Sequence, residues 1–347
     1  MPKTNPSSHR PKGRTRLTLL VLVILATLVL AALPTAAART ECIWTGVQRI
    51  IAIGDLHGDY EHFTRLLRGP GTQLIDSDGH WAGGKSHLVQ MGDVMDRGDE
   101  ARKILDLIRR LEKEATAAGG MVHMILGNHE EMNLMNRSTQ YPGYVTPEQF
   151  KSFLSKNIIA AEEKKAGGRV RDSRWEELIN DPESEASQDY YRNFVDLYGD
   201  WLAEHNVVIK INDTVFVHGG LTESFAARGL ESTNNLYRSE IKRAIRGENF
   251  LPRILFLPEG PLWYRGLAID DDQSEEFRAR VDRIFALVGA QRMVVAHTPT
   301  KFQGREDDMK RYDGKVWIID TGISSVYRGR VWALLIENGS ASVIRRD

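Results

Sequence analysis

The sequence holds almost no cysteine. Cys42 is the only one among 347 residues, so no internal disulfide can form and no metal site can be built from clustered thiols. A lone thiol suits a large domain whose core is sufficient by itself; Cys42 reads as an unreactive side chain near a terminus. Net charge is almost absent too. The 46 Lys and Arg residues against 47 Asp and Glu leave −1. There is no overall basic field to draw in nucleic acid, which argues against DNA or RNA as a partner. Internal repeats and extended low-complexity stretches are also missing. What is present, 41% hydrophobic and 27% charged residues, is the composition of a globular chain with one large domain or two small ones.

Charge is concentrated at the N-terminus. Lys3, Arg10, Lys12, Arg14 and Arg16 precede the apolar run LTLLVLVILATLVLAAL, and the small residues Ala36 and Ala38 follow it. A basic leader, an apolar core and an A-x-A end are the plan of a secretory signal peptide. The run from Leu17 to Leu33 is near the lower limit for spanning a bilayer, so an uncleaved signal anchor is the alternative. No arginine pair precedes the core, which argues against twin-arginine export. Residues 1–38 are therefore expected to lie outside the fold. In a bacterium the body would be exported, periplasmic or secreted, or else held at the membrane by that segment.

Past the leader, apolar runs of strand length end in polar residues. RIIAIGD reaches Asp55, HLVQMGD reaches Asp93, and MVHMILGN reaches Asn128. DTVFVHGG reaches His218 and RMVVAHTP reaches His297, and KVWIIDTG and RVWALLIENG follow. Between the early runs, DEARKILDLIRRLEKEA sets Ile104, Ile108 and Leu111 on one helical face. Strands alternating with helices predict an α/β fold with a mainly buried sheet, and in such sheets ligands gather beyond the carboxyl ends of the strands. From 136 to 205 the texture changes. TPEQFKSFLSKNIIAAEEKKAGG and SQDYYRNFVDLYGDWLAEH read as helices joined across the polar connector DPESEASQD. This stretch is expected to be a helical insertion in a catalytic domain spanning 45–345, and its aromatic residues are expected in the core.

Asp55, His57, Asp93, Asn128, His218 and His297 together offer two carboxylates, an amide oxygen and three imidazoles. That mixture suits manganese, iron or zinc and is too rich in nitrogen for calcium. Six side chains exceed one tetrahedral shell but suit two ions sharing a carboxylate, about 3.5–4 Å apart, which bind a hydroxide and a phosphate oxygen together. The positive charge left over favours a phosphoryl group, and Arg97 and Arg265 can complete a clamp on it. His129, next to Asn128, can protonate a leaving oxygen. Asp96 can orient that histidine and raise its pKa. Each residue alone has an ordinary explanation, since Gly-Asp pairs are common turns and isolated histidines are mostly structural. The weight lies in the set: each metal candidate but His57 closes a strand-like run.

The boxes GDLHG, GDVMDRG, GNHE and HGG, with a later histidine in AHTP, resemble the signature series of the calcineurin-like metallophosphoesterases. Within these they are similar to the phosphoprotein phosphatase branch, and GDLHGD, WYRG and AHTP look most like the Shewanella-like protein phosphatases. The resemblance implies a central β-sandwich of mixed sheets flanked by helices, with a dinuclear site at one edge. It implies that Asp55, His57 and Asp93 hold the first metal, with Asp93 as the bridge. Asn128, His218 and His297 complete the shell, with the division of the two histidines between the metals left open. It further implies that Arg97, Arg265 and Asn128 grip phosphate and that His129, paired with Asp96, is the general acid. Substrates would be a phosphorylated protein or a small phosphoester, phosphotyrosine included. The alternative is a nucleotide or diadenosine-polyphosphate hydrolase, which shares the same boxes; the export signal counts against it. Two departures stand out. Met95 replaces the usual valine, and WIIDTGISSVYRGR stands where the eukaryotic serine/threonine enzymes carry a segment of SAPNYC type.

Overall fold

The computed structural model describes residues 1–2, 41–304 and 308–346. The chain divides into Met1–Arg39 and a compact unit, Thr40–Asp347. The expected leader, 1–38, lies outside the described residues apart from its first two. Among the described residues, no helix is long and apolar enough to cross a membrane.

The second unit is built on two mixed sheets. The five-stranded sheet uses β2 (Arg49–Ile53), β3 (His87–Gln90), β4 (Met121–Met124), β10 (Trp332–Glu337) and β11 (Ser340–Arg345), in the order β11-β10-β2-β3-β4. The six-stranded sheet uses β1 (Ile43–Trp44), β5 (Val208–Ile211), β6 (Thr214–Val217), β7 (Arg292–Val295), β8 (Lys310–Arg311) and β9 (Val316–Ile318), in the order β1-β5-β6-β7-β9-β8. β2, β3 and β4 run parallel, as do β6, β7 and β9, while the outer pairs β10–β11 and β8–β9 are antiparallel. Ile50, Ile51, Leu88, Val89, Val215 and Val294 are fully or almost fully buried in one hydrophobic core. Strands covered on both faces need such unbroken apolar runs, which is why the sequence reads as runs and not as alternation. The result is the expected α/β sandwich of mixed sheets flanked by helices.

Helix Ala101–Ala117 crosses from β3 to β4 and buries Ile104, Ile108 and Leu111, the face set by its periodicity. From 147 to 203 the chain is helical, but more finely divided than its sequence suggests. The first expected helix is two, Pro147–Phe153 and Lys156–Ala166, because the Ser155 hydroxyl accepts from Ile158 N and starts a new N-terminus. Helix Asp172–Ile179 has no counterpart in the sequence reading. The connector DPESEASQD is only half a loop, since Ser184 caps a helix, Glu185–Phe194. A π-turn, Val195–Gly199, then leads into Asp200–Ala203. The aromatic residues pack inward: Tyr190 stacks on Phe150 at 5.1 Å, and Phe153 meets Phe194 edge-on at 5.5 Å.

Candidate active site

Because β2, β3 and β4 are parallel to one another, and β6 to β7, their carboxyl ends present side chains at one edge of each sheet. Asp55 and His57 follow β2, Asp93 follows β3, Asn128 follows β4, His218 follows β6, and His297 follows β7. All six are buried. The backbone there is forced. His57, Asp93, Asp96, Arg97 and His297 all have positive φ, between 42° and 70°, a conformation that non-glycine residues adopt at a cost. Glu130 holds one of these bends. Its carboxylate accepts from the backbone N–H groups of Asp93 (2.8 Å), Val94 (2.9 Å), Met95 (3.1 Å) and Gly127 (2.9 Å). The glycines of the boxes are sterically required. A Cβ on Gly127 would stand 2.2 Å from the Asp93 carboxylate, and one on Gly92 would stand 2.4 Å from Gly127 N.

Asp93 is the hub. Nε2 of His218 lies 3.3 Å from its carboxylate, Nε2 of His57 3.9 Å and Nε2 of His129 4.0 Å. Backbone carbonyls fix two of these rings. Nδ1 of His218 meets the oxygen of Met91 at 2.7 Å, and Nδ1 of His57 meets that of Met95 at 3.1 Å. A carbonyl only accepts, so Nδ1 carries the proton and Nε2 turns a lone pair towards the carboxylate. Asn128 adds its Oδ1, 3.1 Å from His218 Nε2, and the buried Nε2 of His297 has no hydrogen-bond partner. Lone pairs facing lone pairs and carboxylates in a buried pocket repel unless a cation lies between them, so this donor set fits metal ions. Donor atoms within 4.8 Å of one another form two groups, His57–Asp93–His129 and Asp93–His218–His297. Asp93 is common to both.

The ionisation of these groups follows from burial and neighbours. Burial, with help from His129 and Arg97, pushes His57 down to about 3. Burial and the adjacent His218 also hold His297 well below the usual imidazole range. Both rings are thus neutral, with a lone pair each to offer a metal ion. Burial alone would raise Asp93, but the neighbouring His218 and His129 outweigh it and hold its pKa well below the ordinary carboxylate range. Asp55 belongs to neither donor group. Burial and the neighbouring carboxyls of Asp320 and Asp93 raise its pKa well above the ordinary range. Asp320, after β9, is pushed up to about 6, mainly by burial, and shares a hydrogen bond with Asp55.

His129 stands on helix Asn128–Leu134, with its backbone N–H on the Asp93 carboxylate at 3.0 Å. Its Nδ1 meets Asp96 Oδ2 at 2.7 Å. Burial works against the imidazolium, but Asp93 and the Asp96 hydrogen bond raise its pKa above the ordinary value. Asp96 is held in turn by residues outside the motifs. Gln149 donates to its Oδ1 at 2.9 Å and accepts its backbone N–H at 2.8 Å. Asn133 and Ser138 donate to its carboxylate at 3.0 and 2.8 Å, and Tyr190 ties Asn133 and Gln149 together. Arg97 lies beside the ring of Tyr144, with its Nε buried and without a hydrogen-bond partner. Arg265 donates to the carbonyl of His297 at 2.7 Å and to Thr298 Oγ1 at 2.9 Å. Two guanidinium groups thus flank a buried donor pocket, an arrangement suited to a phosphoryl group. Glu130, Asp320 and the Gln149–Asn133–Tyr190 support were not foreseen from the sequence.

Comparison with known proteins identifies the family. The family model described as calcineurin-like phosphoesterase matches residues 48–300. An uncharacterised protein of Schizosaccharomyces pombe is 30% identical over 302 residues, covering 85% of this chain and 79% of that one. Shewanella-like protein phosphatase 2 of Arabidopsis thaliana is 29% identical over 269 residues, covering 72% of this chain and 66% of its own length, just under two thirds. The crystal structure of a cold-active protein tyrosine phosphatase from a psychrophilic Shewanella species superposes with a TM-score of 0.58 at 26% identity, covering 89% of this chain and 85% of that one. The chain belongs to the calcineurin-like phosphoesterase family and is a metal-dependent phosphatase.

Proposed function

We propose that the chain is a phosphomonoesterase acting on phosphoproteins, with phosphotyrosine among its substrates. The observation that carries this reading is Asp93, a buried carboxylate with three imidazoles within 4.0 Å, backed by the Asp96–His129 pair. The substrate class is supported by the relatives, which bear the names of a protein phosphatase and a protein tyrosine phosphatase. Asp55, His57, Asp93, Asn128, His218 and His297 would hold two ions, manganese, iron or zinc, with Asp93 between them. Such ions supply Lewis acidity towards a phosphoryl oxygen and a lowered pKa for water.

The remaining work falls to the chain's own side chains. Arg97 and Arg265 bind the non-bridging phosphate oxygens, and Asn128 adds its amide. His129 delivers the proton on Nε2 to the departing oxygen, so the leaving group departs as an alcohol or a phenol. Asp96 accepts the Nδ1–H of His129, fixes its tautomer and stabilises the charged ring. Burial of the pocket strengthens each of these contacts by excluding water.

Residues 1–38 would serve as a signal peptide or signal anchor that exports the catalytic domain, 45–345. The body would then be periplasmic or secreted, or held at the membrane by the apolar segment. Two experiments test the reading. The first is a turnover profile of the protein lacking residues 1–38, with manganese, iron or zinc, on phosphotyrosine and phosphoserine peptides and on dinucleoside polyphosphate. Hydrolysis of the peptides supports it, and hydrolysis of the dinucleotide alone overturns it. The second is N-terminal sequencing of exported material. A start near Arg39 marks cleavage, an intact Met1 in the membrane fraction marks an anchor, and full-length protein in the cytoplasm refutes export.

A further inference from the structure

From Arg246 to Arg265 the chain is neither helix nor strand. Connections longer than about 12–15 residues without structure of their own are uncommon in a compact domain and usually functional. This one leaves helix Leu230–Ile245 and ends on Arg265, one of the two arginines at the pocket. Ile254, Leu255 and Leu262 bury its apolar side chains. Its last turn is tight. Trp263 N and Tyr264 N both donate to the Gly260 carbonyl, at 3.1 and 3.0 Å, and the Pro261 carbonyl accepts from Gly219 N of the HGG box at 2.8 Å.

Glu131, on helix Asn128–Leu134, makes a second tie to this turn. Its Oε1 accepts from Phe256 N at 2.8 Å and from the Trp263 indole N–H at 3.0 Å. Phe256 has a φ of 55°, a left-handed conformation that a non-glycine residue holds at a cost. The Trp263 ring meets the His297 ring edge-on, 6.0 Å between centres at 83°. The His297 carbonyl in turn accepts from Arg265 at 2.7 Å. Contacts therefore run without a break from Glu131 through Trp263 to the arginine. Glu131 is fully buried, and its Oε2 has no hydrogen-bond partner among the described residues. Burying a carboxylate in this way is costly. Anchoring the loop alone does not call for it, since Glu240 already accepts the backbone N–H groups of Arg253 (2.9 Å) and Ile254 (3.1 Å). What Glu131 adds is direction: it fixes the indole, and with it the turn that carries Arg265.

We propose that Glu131 is a positioning residue for phosphate binding: by gripping the Trp263 indole it holds the PLWYRG turn where Arg265 meets a phosphate oxygen. This rests on the reading of Arg265 as a phosphate ligand and deepens it. Without the grip the guanidinium keeps its charge but loses its place, and a small misplacement weakens a charge-assisted bond several-fold. The role needs an acceptor oxygen and not a charge. Glu131→Gln keeps a carbonyl able to accept both bonds, Glu131→Leu keeps only the bulk, and Trp263→Phe removes only the donor.

The test titrates the full, metal-loaded chain with inorganic phosphate by calorimetry, with metal content and denaturant stability measured alongside. Arg265→Ala should weaken phosphate binding about 10- to 100-fold. Glu131→Leu and Trp263→Phe should each weaken it about 3- to 10-fold with metal content unchanged, and Glu131→Gln should bind like the wild type. Combined with Arg265→Ala, neither Glu131→Leu nor Trp263→Phe should weaken binding further, because both act through the arginine. A merely structural role would lower stability and leave the phosphate affinity of the folded chain unchanged. Trp263→Phe carries the test if Glu131→Leu does not fold. Unchanged affinity in the folded Glu131 and Trp263 variants, while Arg265→Ala is weakened, overturns the positioning role alone. So do losses that add in the double variants, metal loss in the single ones, or a glutamine variant as weak as the leucine one. Unchanged affinity in Arg265→Ala, or a wild-type chain that binds no phosphate, refutes Arg265 as a phosphate ligand and the positioning role with it.

Discussion

The two halves of the pocket are built differently. The side that carries the metal candidates is assembled from strand ends, and hydrogen bonds among the boxes and the strands before them hold three of its residues. His218 and His57 are held by carbonyls of the β3–GDVMDRG segment, and Asp93 by Glu130 of the GNHE box. The side of the proposed acid and phosphate grip borrows from residues outside the boxes. Asp96 depends on Gln149, which lies 53 residues on, and through Asn133 on Tyr190. Arg97 depends on Tyr144 and Tyr327. The contrast teaches that the donor set is a property of the sandwich, while the proposed proton donor and phosphate grip are tuned by the helical stretch and the loop after β9. The two sides should respond to mutation in different ways.

The largest effect should come from the hub. Asp93→Asn keeps the shape but removes the charge shared by both donor groups, so turnover should fall to background and metal content should drop. His129→Asn should instead leave metal content largely intact and slow hydrolysis of esters with poor leaving groups by about 10²–10⁴-fold. The loss should shrink along a series of increasingly acidic phenols, and an equal loss across that series would remove His129 from the acid role.

Gln149→Leu sharpens the comparison from a distance. It strips Asp96 of a donor and leaves its backbone N–H unpaired, costing about 1–3 kcal/mol of stability. Turnover of poor leaving groups should fall about 10- to 100-fold, with metal content unchanged. A matching loss of metal would mean that the two sides are not separable. The smallest effect belongs to the far ends of the same strands. His87 opens β3, and its Nδ1 meets His123 Nε2 at 2.9 Å. Burial pushes its pKa down to about 4 from 6.5. A histidine with a depressed folded-state value contributes stability above pH 6.5 that is lost as pH falls towards 4. His87→Gln should therefore cost about 1 kcal/mol at pH 7.5 and lose less between pH 7 and pH 5, by denaturant titration, with activity and metal content unchanged.

The donor side was legible in the sequence for a physical reason. Parallel strands end at a common edge, so polar residues closing separate apolar runs meet in space however far apart they are in the chain. Asp320 carried the same signal at the end of WIID and could have been read by the same rule. Glu130 lay in plain view inside GNHE, but its role depends on two loops lying side by side, which spacing does not reveal. Gln149, Tyr144 and Tyr327 had no signal at all. Single glutamine and tyrosine residues in helical or loop sequence acquire meaning only when tertiary packing brings them to Asp96 and Arg97. Ser155 and Ser184 were legible as caps, but the first was masked by the strongly helical sequence around it and the second by the polar connector in which it lies.

The most direct test of the two-metal pocket measures metal content and turnover together. Elemental analysis and phosphatase assay of purified wild-type and Asp93→Asn chains, before and after chelation, provide both. The expected result is two ions per wild-type chain, activity lost on chelation and regained on adding manganese, iron or zinc, and a variant that is inactive and depleted of metal. A metal-free wild-type chain with full activity, or an Asp93→Asn chain that keeps two ions and normal turnover, would contradict it.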